Sequence, residues 1–178
     1  HQALQNYLSP RKISTKTARK QCKEIHYKIS GRKYFAIGLQ NRSRGWELRN
    51  SYWKGSTSPK DVSLIKNDSK NLAITEGMFD MLTLIELRPE LLKTHELLVL
   101  NTTAFVKRMI TEIGEYESVE LFLDRDKTGL GMTELLVERC PNSRDMSFLY
   151  EGFKDINEWM VKSAKDEVRL RIQDVSLS

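Results

Sequence analysis

Polar turns separate runs of strand-forming residues in the first third of the chain. The strand formers of residues 33–39 and the alternating residues of 46–49 flank a polar turn, which predicts a β-hairpin. Ser14 or Thr15 begins a segment suited to a helix that extends to about Tyr27, because either hydroxyl accepts hydrogen bonds from the unpaired N–H groups of a first turn. The first third is therefore predicted to be a helix followed by a small β element.

After residue 70, short apolar runs alternate with segments of helical character. The runs are short and mostly apolar, as is typical of strands buried on both faces of a parallel sheet. Their alternation with helices predicts an α/β fold in which helices flank the sheet, and such sheets bind ligands at the carboxyl ends of their strands. The predicted strands are 72–75, 97–100, 119–123 and 145–150, and the predicted helices are 78–87, 104–113, 131–140 and 156–164.

The charge balance reverses near residue 66. Residues 1–66 contain 15 Lys and Arg side chains against three acidic ones, a net charge of +12, whereas residues 67–178 carry a net charge of −7. A basic surface attracts a polyanion such as nucleic acid, and an acidic one attracts metal ions. We therefore expect a basic helix plus a small β element over residues 1–66, an acidic α/β domain over 67–165 and a C-terminal tail over 166–178.

Composition excludes several other classes of protein. No run of 18 apolar residues is present, and the first residues lack a signal-peptide pattern. Cys22 and Cys140 stand far apart without a CxxC motif or paired histidines, which argues against a structural zinc site and leaves a bridge between them open. These features lead us to expect a cytoplasmic protein with no membrane association. His1 in place of an initiator methionine is expected of a fragment or a processed chain.

Carboxylates follow three of the four predicted strands. Glu76 follows the first, Asp124 and Asp126 follow the third, and Asp155 lies shortly after the fourth. Because the carboxyl ends of parallel strands share one edge of the sheet, these side chains are expected to lie close together. Mg²⁺ binds oxygen ligands, usually one or two carboxylates together with substrate phosphates, and two such ions can stabilise phosphoryl transfer. Each motif alone is more often a surface turn, but the ordered set predicts a metal site.

These segments resemble the Toprim motifs of bacterial replicative primases of the DnaG type. Residues 76–82, EGMFDML, are similar to the first motif, and residues 123–129, LDRDKTG, are similar to the second, with its pair of aspartates. Residues 101–104 resemble the small-residue loop between them, and residues 151–157 resemble the lysine–aspartate segment after the last core strand. The basic first third resembles that of primases and of Toprim proteins from Bacteroides-type mobile elements. The resemblance covers roughly residues 20–160.

The resemblance implies a Toprim, Rossmann-like fold and a primase-type nucleotidyltransferase. Such an enzyme makes short primers on single-stranded DNA from nucleoside triphosphates, and a helicase or mobilisation protein is a further expected partner. Glu76, Asp124 and Asp126 would be the catalytic residues and, together with Asp155, the ligands of Mg²⁺ or Mn²⁺. The residues expected to contact nucleic acid are Arg32, Lys33, Arg49, Lys54, Lys60 and Lys154.

Two other readings use the same residues differently. A Toprim nuclease would cut a strand with the same metal ions, and a non-catalytic module of a mobile element would bind nucleic acid through the basic part alone. Strand passage would need a nucleophilic tyrosine in a separate domain, which no motif indicates. The chain also departs from the primase pattern, because it has no set of zinc ligands and because Arg125 stands between the two aspartates.

Overall fold

The first third of the chain forms two short helices and an antiparallel sheet. A computed structural model describes residues 1–164, 167–168 and 170–172. Neighbouring strands of the first sheet pair in chain order, and all of its pairs are antiparallel. The helices of this part are α1 (Gln2–Leu8) and α2 (Thr15–Gln21). The strands of the first sheet are β1 (Lys23–Ile29), β2 (Arg32–Gln40), β3 (Trp46–Arg49) and β4 (Lys54–Ser56).

The second sheet has five strands and is mostly parallel. Its strands are β5 (Ser63–Ile65), β6 (Asn71–Thr75), β7 (Glu96–Val99), β8 (Ser118–Phe122) and β9 (Ser143–Asp145), in the order β5-β7-β6-β8-β9. Only β5, at one edge, is antiparallel to its neighbour. The strand order places the ends of β6 and β8 side by side, and this edge carries the candidate site.

Helices pack on both faces of the second sheet because successive strand residues point to opposite faces. Leu72 and Ile74 belong to one apolar cluster with residues of α5 (Val106–Gly114) and α6 (Lys127–Arg139). Ala73 between them belongs to another cluster with residues of α3 (Met78–Leu87) and α7 (Ile156–Lys162). The longest of these helices has 13 residues, so no helix in the described ranges is long enough to cross a membrane. The helices are α3 (Met78–Leu87), α4 (Leu91–Thr94), α5 (Val106–Gly114), α6 (Lys127–Arg139) and α7 (Ile156–Lys162).

The basic element packs directly on the α/β domain. Leu4 and Leu8 of α1 lie in the same apolar cluster as Met81 and Trp159 from α3 and α7. Asn157 Nδ2 donates a hydrogen bond to the backbone oxygen of Arg11 at 3.0 Å, which joins the two parts through polar contacts as well. The first third therefore forms a wall above the sheet edge at which the acids lie.

The predicted fold class is confirmed, with three local corrections. The helix expected to reach Tyr27 ends at Gln21, because residues 23–29 pair with β2 and that cross-strand pairing outweighs the helix-starting signal. The strand expected over 145–150 ends at Asp145 and a 3₁₀ turn follows, in which the Tyr150 hydroxyl donates to the backbone oxygen of Leu123 at 2.8 Å. Strand β5 was not predicted, since its three residues are too short for a pattern.

The expected domain boundaries stay a prediction. The tail expected over 166–178 falls largely outside the described residues, although Val168 and Ile172 are described and are buried.

Candidate active site

Three aspartates converge at the carboxyl edge of the second sheet. Asp124 lies two residues beyond the end of β8, Asp80 lies in the first turn of α3, and Asp155 is the N-cap residue of α7. One carboxylate oxygen from each lies within 4.8 Å of the other two. Glu76, between β6 and α3, lies beside this group. We call Glu76, Asp80, Asp124 and Asp155 the acid cluster.

Local backbone geometry holds Asp124 in place. The turn from β8 into α6 brings Gly129 so close to Asp124 that a Cβ atom at residue 129 would lie 2.0 Å from the Asp124 backbone oxygen. Asp126 caps α6, and its Oδ1 accepts hydrogen bonds from the backbone N–H groups of Thr128 and Gly129, both at 3.0 Å. Asp126 is exposed, and one of its oxygens is thereby committed to the helix cap rather than to the group of three aspartates.

Burial and mutual repulsion perturb the acid cluster. Burial, followed by the charges of Asp124 and Asp126, raises the pKa of Glu76 from 4.5 to about 7. Burial also raises the pKa of Asp80 well above its usual value, with further contributions from Asp155, Asp124 and Glu76. The Oε2 atom of Glu76 is buried and has no hydrogen-bond partner among the described residues. Converging carboxylates with an unsatisfied buried oxygen are the arrangement that a bound cation would relieve.

Lys154 supplies one positive charge beside the cluster. Its Nζ lies 3.2 Å from Asp124 Oδ2, and that carboxylate raises the pKa of Lys154. The backbone oxygen of Lys154 accepts a hydrogen bond from the Arg125 N–H at 2.7 Å, and this bond sets the segment of Lys154 and Asp155 alongside Asp124. Burial nonetheless raises the pKa of Asp124, so one lysine does not fully offset the cost of burying this carboxylate.

An open cleft of about 420 Å³ lies between the acid cluster and the basic element. Arg11 contributes to the upper wall, where its guanidinium stacks 4.1 Å from the centroid of the Tyr7 ring and 4.9 Å from that of Phe79. Arg49 is buried, lies 3.7 Å from Glu47 and has its pKa lowered by burial. The upper wall consists of Tyr7, Arg11, Arg49, Asn50, Tyr52, Trp53 and Lys54.

The structure brings some of the residues predicted to bind nucleic acid to the cleft and leaves others away from it. Arg49, Lys54 and Lys154 line the cleft, and Lys60 lines an adjoining pocket that also contains Arg49 and Lys54. Arg32 and Lys33 are exposed at the start of β2 and line neither space. The two groups thus occupy different parts of the basic element.

Sequence reasoning missed Asp80 and the N-terminal wall of the cleft. Asp80 stood out in the sequence only as part of the motif 76–82, with no role of its own. Its place in the first turn of α3, directly after the strand end that carries Glu76, was the available signal. Tyr7 and Arg11 lie in and just after α1, and no pattern in the sequence connects that segment with the acids.

Two family descriptions match parts of the chain. Residues 73–160 match the Toprim-like family, and residues 1–58 match a domain of unknown function, DUF8464. The comparison with curated proteins gave no match. The Toprim-like match includes all four residues of the acid cluster.

Solved primase structures share the fold of this chain. The primase fragment of the bacteriophage T7 primase-helicase protein has a TM-score of 0.68 at 23% identity, covering 94% of this chain and 71% of that one. A structure of bacteriophage T7 lagging-strand DNA polymerase interacting with primase domains bound to an RNA/DNA hybrid and dTTP gives 0.69 at 23% identity, with 93% and 89% covered. The Aquifex aeolicus primase, with zinc binding and RNA polymerase domains, gives 0.59 at 16% identity; 95% of this chain matches 55% of it. Residues 73–160 therefore form a Toprim-like domain, in a chain that has the fold of these primase structures.

Proposed function

We propose that this chain is the core of a metal-dependent, primase-type nucleotidyltransferase that makes short primers on single-stranded DNA from nucleoside triphosphates. The observation that carries the proposal is the convergence of Asp80, Asp124 and Asp155 beneath a basic wall, within a Toprim-like domain. A cleft with acids on one side and cations on the other suits a reaction between two polyanions, because metal ions and basic side chains must together offset the phosphate charge.

The acid cluster fits a divalent cation such as Mg²⁺ or Mn²⁺. Asp80, Asp124 and Asp155 offer three carboxylate oxygens within 4.8 Å of one another, which is the donor type that these ions bind. When bound, such an ion polarises phosphoryl oxygens and stabilises negative charge on the attacking and leaving oxygens. Glu76 Oε2 is buried and without a partner among the described residues, and in this proposal it would either join the ligands or accept a proton from an attacking hydroxyl.

The basic residues of the cleft would bind and orient the phosphates. Lys154 is more than half exposed and pairs with Asp124, so its ammonium group can move to a substrate phosphate once other positive charge lies beside the aspartate. Lys54 and Arg11 line the opposite wall of the same cleft. Arg49 is the exception, since its guanidinium donates to the backbone oxygens of Leu48 and Gly55 and so supports the wall from within.

The substrates, partners and location of the chain are also part of the proposal. The T7 primase domains were seen with an RNA/DNA hybrid and dTTP, and we expect this chain to bind the same kinds of molecule. A helicase or mobilisation protein as partner, a cytoplasmic location and a link to mobile elements stay predictions. Nuclease activity at the same acids is the second outcome that the test must separate.

Primer synthesis can be tested with one isosteric variant. The chain is incubated with labelled nucleotides, single-stranded DNA and Mg²⁺ or Mn²⁺, and the products are separated on a denaturing gel. We expect short new oligonucleotides that disappear in Asp124→Asn and persist in Glu134→Gln, which changes an exposed carboxylate on α6. Thermal unfolding of both variants verifies that the fold is retained.

The other gel patterns have defined meanings. Template that is shortened by wild type and left intact by Asp124→Asn would indicate a nuclease instead of a primer-synthesising enzyme. Oligonucleotides of equal yield from Asp124→Asn would contradict the role of the acid cluster. A folded chain that binds DNA but changes neither nucleotides nor template would support a binding module instead.

A further inference from the structure

Four aromatic side chains extend from the cleft across the outer face of the first sheet. The Trp53 and Tyr27 rings lie 5.6 Å apart, and the Tyr27 and Tyr34 rings also lie 5.6 Å apart in a stacked arrangement. Tyr52 is 95% exposed, and both Tyr52 and Trp53 line the cleft. We call Tyr27, Tyr34, Tyr52 and Trp53 the aromatic surface; it begins at the cleft and continues away from it.

The strand pattern explains why these rings face outward. Ile37 and Leu39 of β2 are buried in the core that the sheet shares with the α/β domain, so the alternate residues of β2 point to the opposite face. Tyr34 is one of these, and its cross-strand partner Tyr27 points the same way. Trp53 lies flat against Gly55, where an added Cβ would come within 2.0 Å of the indole ring. A glycine at this position therefore lets the indole lie against the sheet.

The loop that carries Tyr52 and Trp53 is held by one side chain. Asn50 Oδ1 accepts hydrogen bonds from the backbone N–H groups of Tyr52 and Trp53, both at 2.9 Å. Its Nδ2 donates to the backbone oxygen of Phe35 on β2, also at 2.9 Å. The loop is thus tied to the sheet, and an almost fully exposed tyrosine is presented in a defined position rather than on a loose segment.

Positive charge accompanies the rings at both ends. Lys54 follows Trp53 directly and lines the cleft, while Arg32 lies two residues before Tyr34 and therefore on the same face of β2. Residues 1–66 as a whole carry a net charge of +12. Exposed aromatic rings interleaved with basic side chains are the combination that binds single strands, since bases stack on the rings while cations bind the phosphates.

We propose that the aromatic surface is a stacking platform for the bases of a single-stranded polynucleotide, which it guides into the cleft at Tyr52. The inference rests on the proposed function, because the cleft end of the surface is the end at which the acid cluster lies. Stacking of this kind has little dependence on base sequence, because every base has a flat face. It also gives Arg32, which is outside the cleft, a phosphate-binding role along the path of the strand.

Tyr52 provides the sharpest test, because its exposure means that its removal should not disturb the fold. Binding of a fluorescein-labelled oligo-dT and of an abasic strand of the same length is measured by anisotropy, at one low salt concentration. Tyr52→Ala should weaken binding of oligo-dT by about fivefold to tenfold, in the lower part of the range for a base–aromatic contact, and leave the abasic strand unaffected. Tyr52→Phe should restore affinity. Phe148→Ala, which removes an exposed aromatic side chain that does not line the cleft, is the matched control.

Tryptophan emission gives an independent measurement. Oligo-dT should quench the fluorescence of the chain, and Trp53→Phe should remove most of this quenching, because Trp159 is buried and Trp46 is only partly exposed. If Tyr52→Ala binds oligo-dT with unchanged affinity, or loses the same affinity for both strands, the platform proposal is wrong. The proposal of primer synthesis would still stand. Wild-type chain that binds neither strand would overturn the platform and the template-binding part of the proposed function together. Normal stacking without nucleotide incorporation would count against the proposed function alone.

Discussion

Glu76→Gln tests whether the acid cluster carries a stability cost in the absence of a cation. The folded chain raises the pKa of Glu76 from 4.5 to about 7, so unfolding releases the carboxylate to ionise at a lower pH. A raised pKa in the folded state removes stability as the pH rises from the unfolded value to the folded one, here between about pH 4.5 and pH 7. Glutamine has a side chain of the same size that cannot ionise, so the Glu76→Gln variant should not lose this stability as the pH rises.

The magnitude follows from the size of the shift. Raising the pKa of Glu76 from 4.5 to about 7 costs the folded state about 3 kcal/mol once the pH exceeds 7, whereas at pH 5 less than about 1 kcal/mol of this cost has developed. Comparing two pH values cancels whatever Glu76→Gln does to packing, since that effect does not change with pH. Relative to wild type, the variant should therefore gain roughly 2 kcal/mol in unfolding free energy between pH 5 and pH 8.

Urea unfolding with a chelator present, at pH 5 and pH 8, measures this gain. Glu134→Gln serves as control, because this exposed carboxylate lies on α6 outside the cleft, and its difference from wild type should be the same at both pH values. Adding Mg²⁺ at pH 8 should stabilise wild type by about 2–3 kcal/mol at a hundredfold excess over the dissociation constant. Parallel pH profiles for wild type and Glu76→Gln would refute the argument that burial and like charge strain this site.

Two further predictions concern the residues around Glu76. Asp80→Asn should weaken Mn²⁺ binding at least tenfold, because it replaces one of three converging carboxylates with a neutral amide, and electron paramagnetic resonance of the free ion measures the loss. Undiminished Mn²⁺ binding would remove Asp80 from the ligand set. Gly129→Ala should cost about 1–3 kcal/mol in unfolding free energy and lower primer synthesis, since its Cβ would push against the Asp124 backbone. Gly131→Ala is the control, because it lies on the same helix and an added Cβ there has nothing within 4 Å; it should stabilise the chain by up to about 1 kcal/mol. Equal unfolding free energies of the two variants in urea would contradict the argument that Gly129 must lie close to the Asp124 backbone.

The sequence predicted those parts of the fold that rest on local pattern. The apolar runs at β6 and β7, and the run at β8 that only Glu120 interrupts, marked buried parallel strands, because such strands need apolar residues on both faces. Strand β1 was missed although Ile25, Tyr27 and Ile29 alternate with polar residues, which is the pattern of a half-buried strand. The helix-starting signal at Ser14 and Thr15 was extended through this segment, and it is the pairing with β2 that decides its conformation.

In the candidate site, the residues at strand ends were predictable and the geometry of the turns was not. Glu76, Asp124 and Asp155 were predicted to lie together because the ends of parallel strands meet at one edge. Asp126 stays a predicted ligand; it also caps α6, where one of its oxygens accepts hydrogen bonds from two backbone N–H groups. Asp80 takes the third place in the aspartate group because α3 starts immediately after β6 and its first turn leans over the sheet edge. Which of several acids near a strand end joins the cluster depends on that turn geometry.

The charge reversal near residue 66 gains its meaning from the packing of the two parts. Acids that converge with raised pKa values weaken the folded state unless positive charge arrives, and Lys154 supplies only one such charge directly at Asp124. The basic wall faces the acids across an open cleft instead of closing on them, so it leaves their repulsion largely unrelieved. A structure selected for stability alone would be expected to pair these opposite charges directly. Keeping them apart leaves room for cations on the acidic side and phosphates on the basic side, which is the separation that a phosphoryl-transfer site requires.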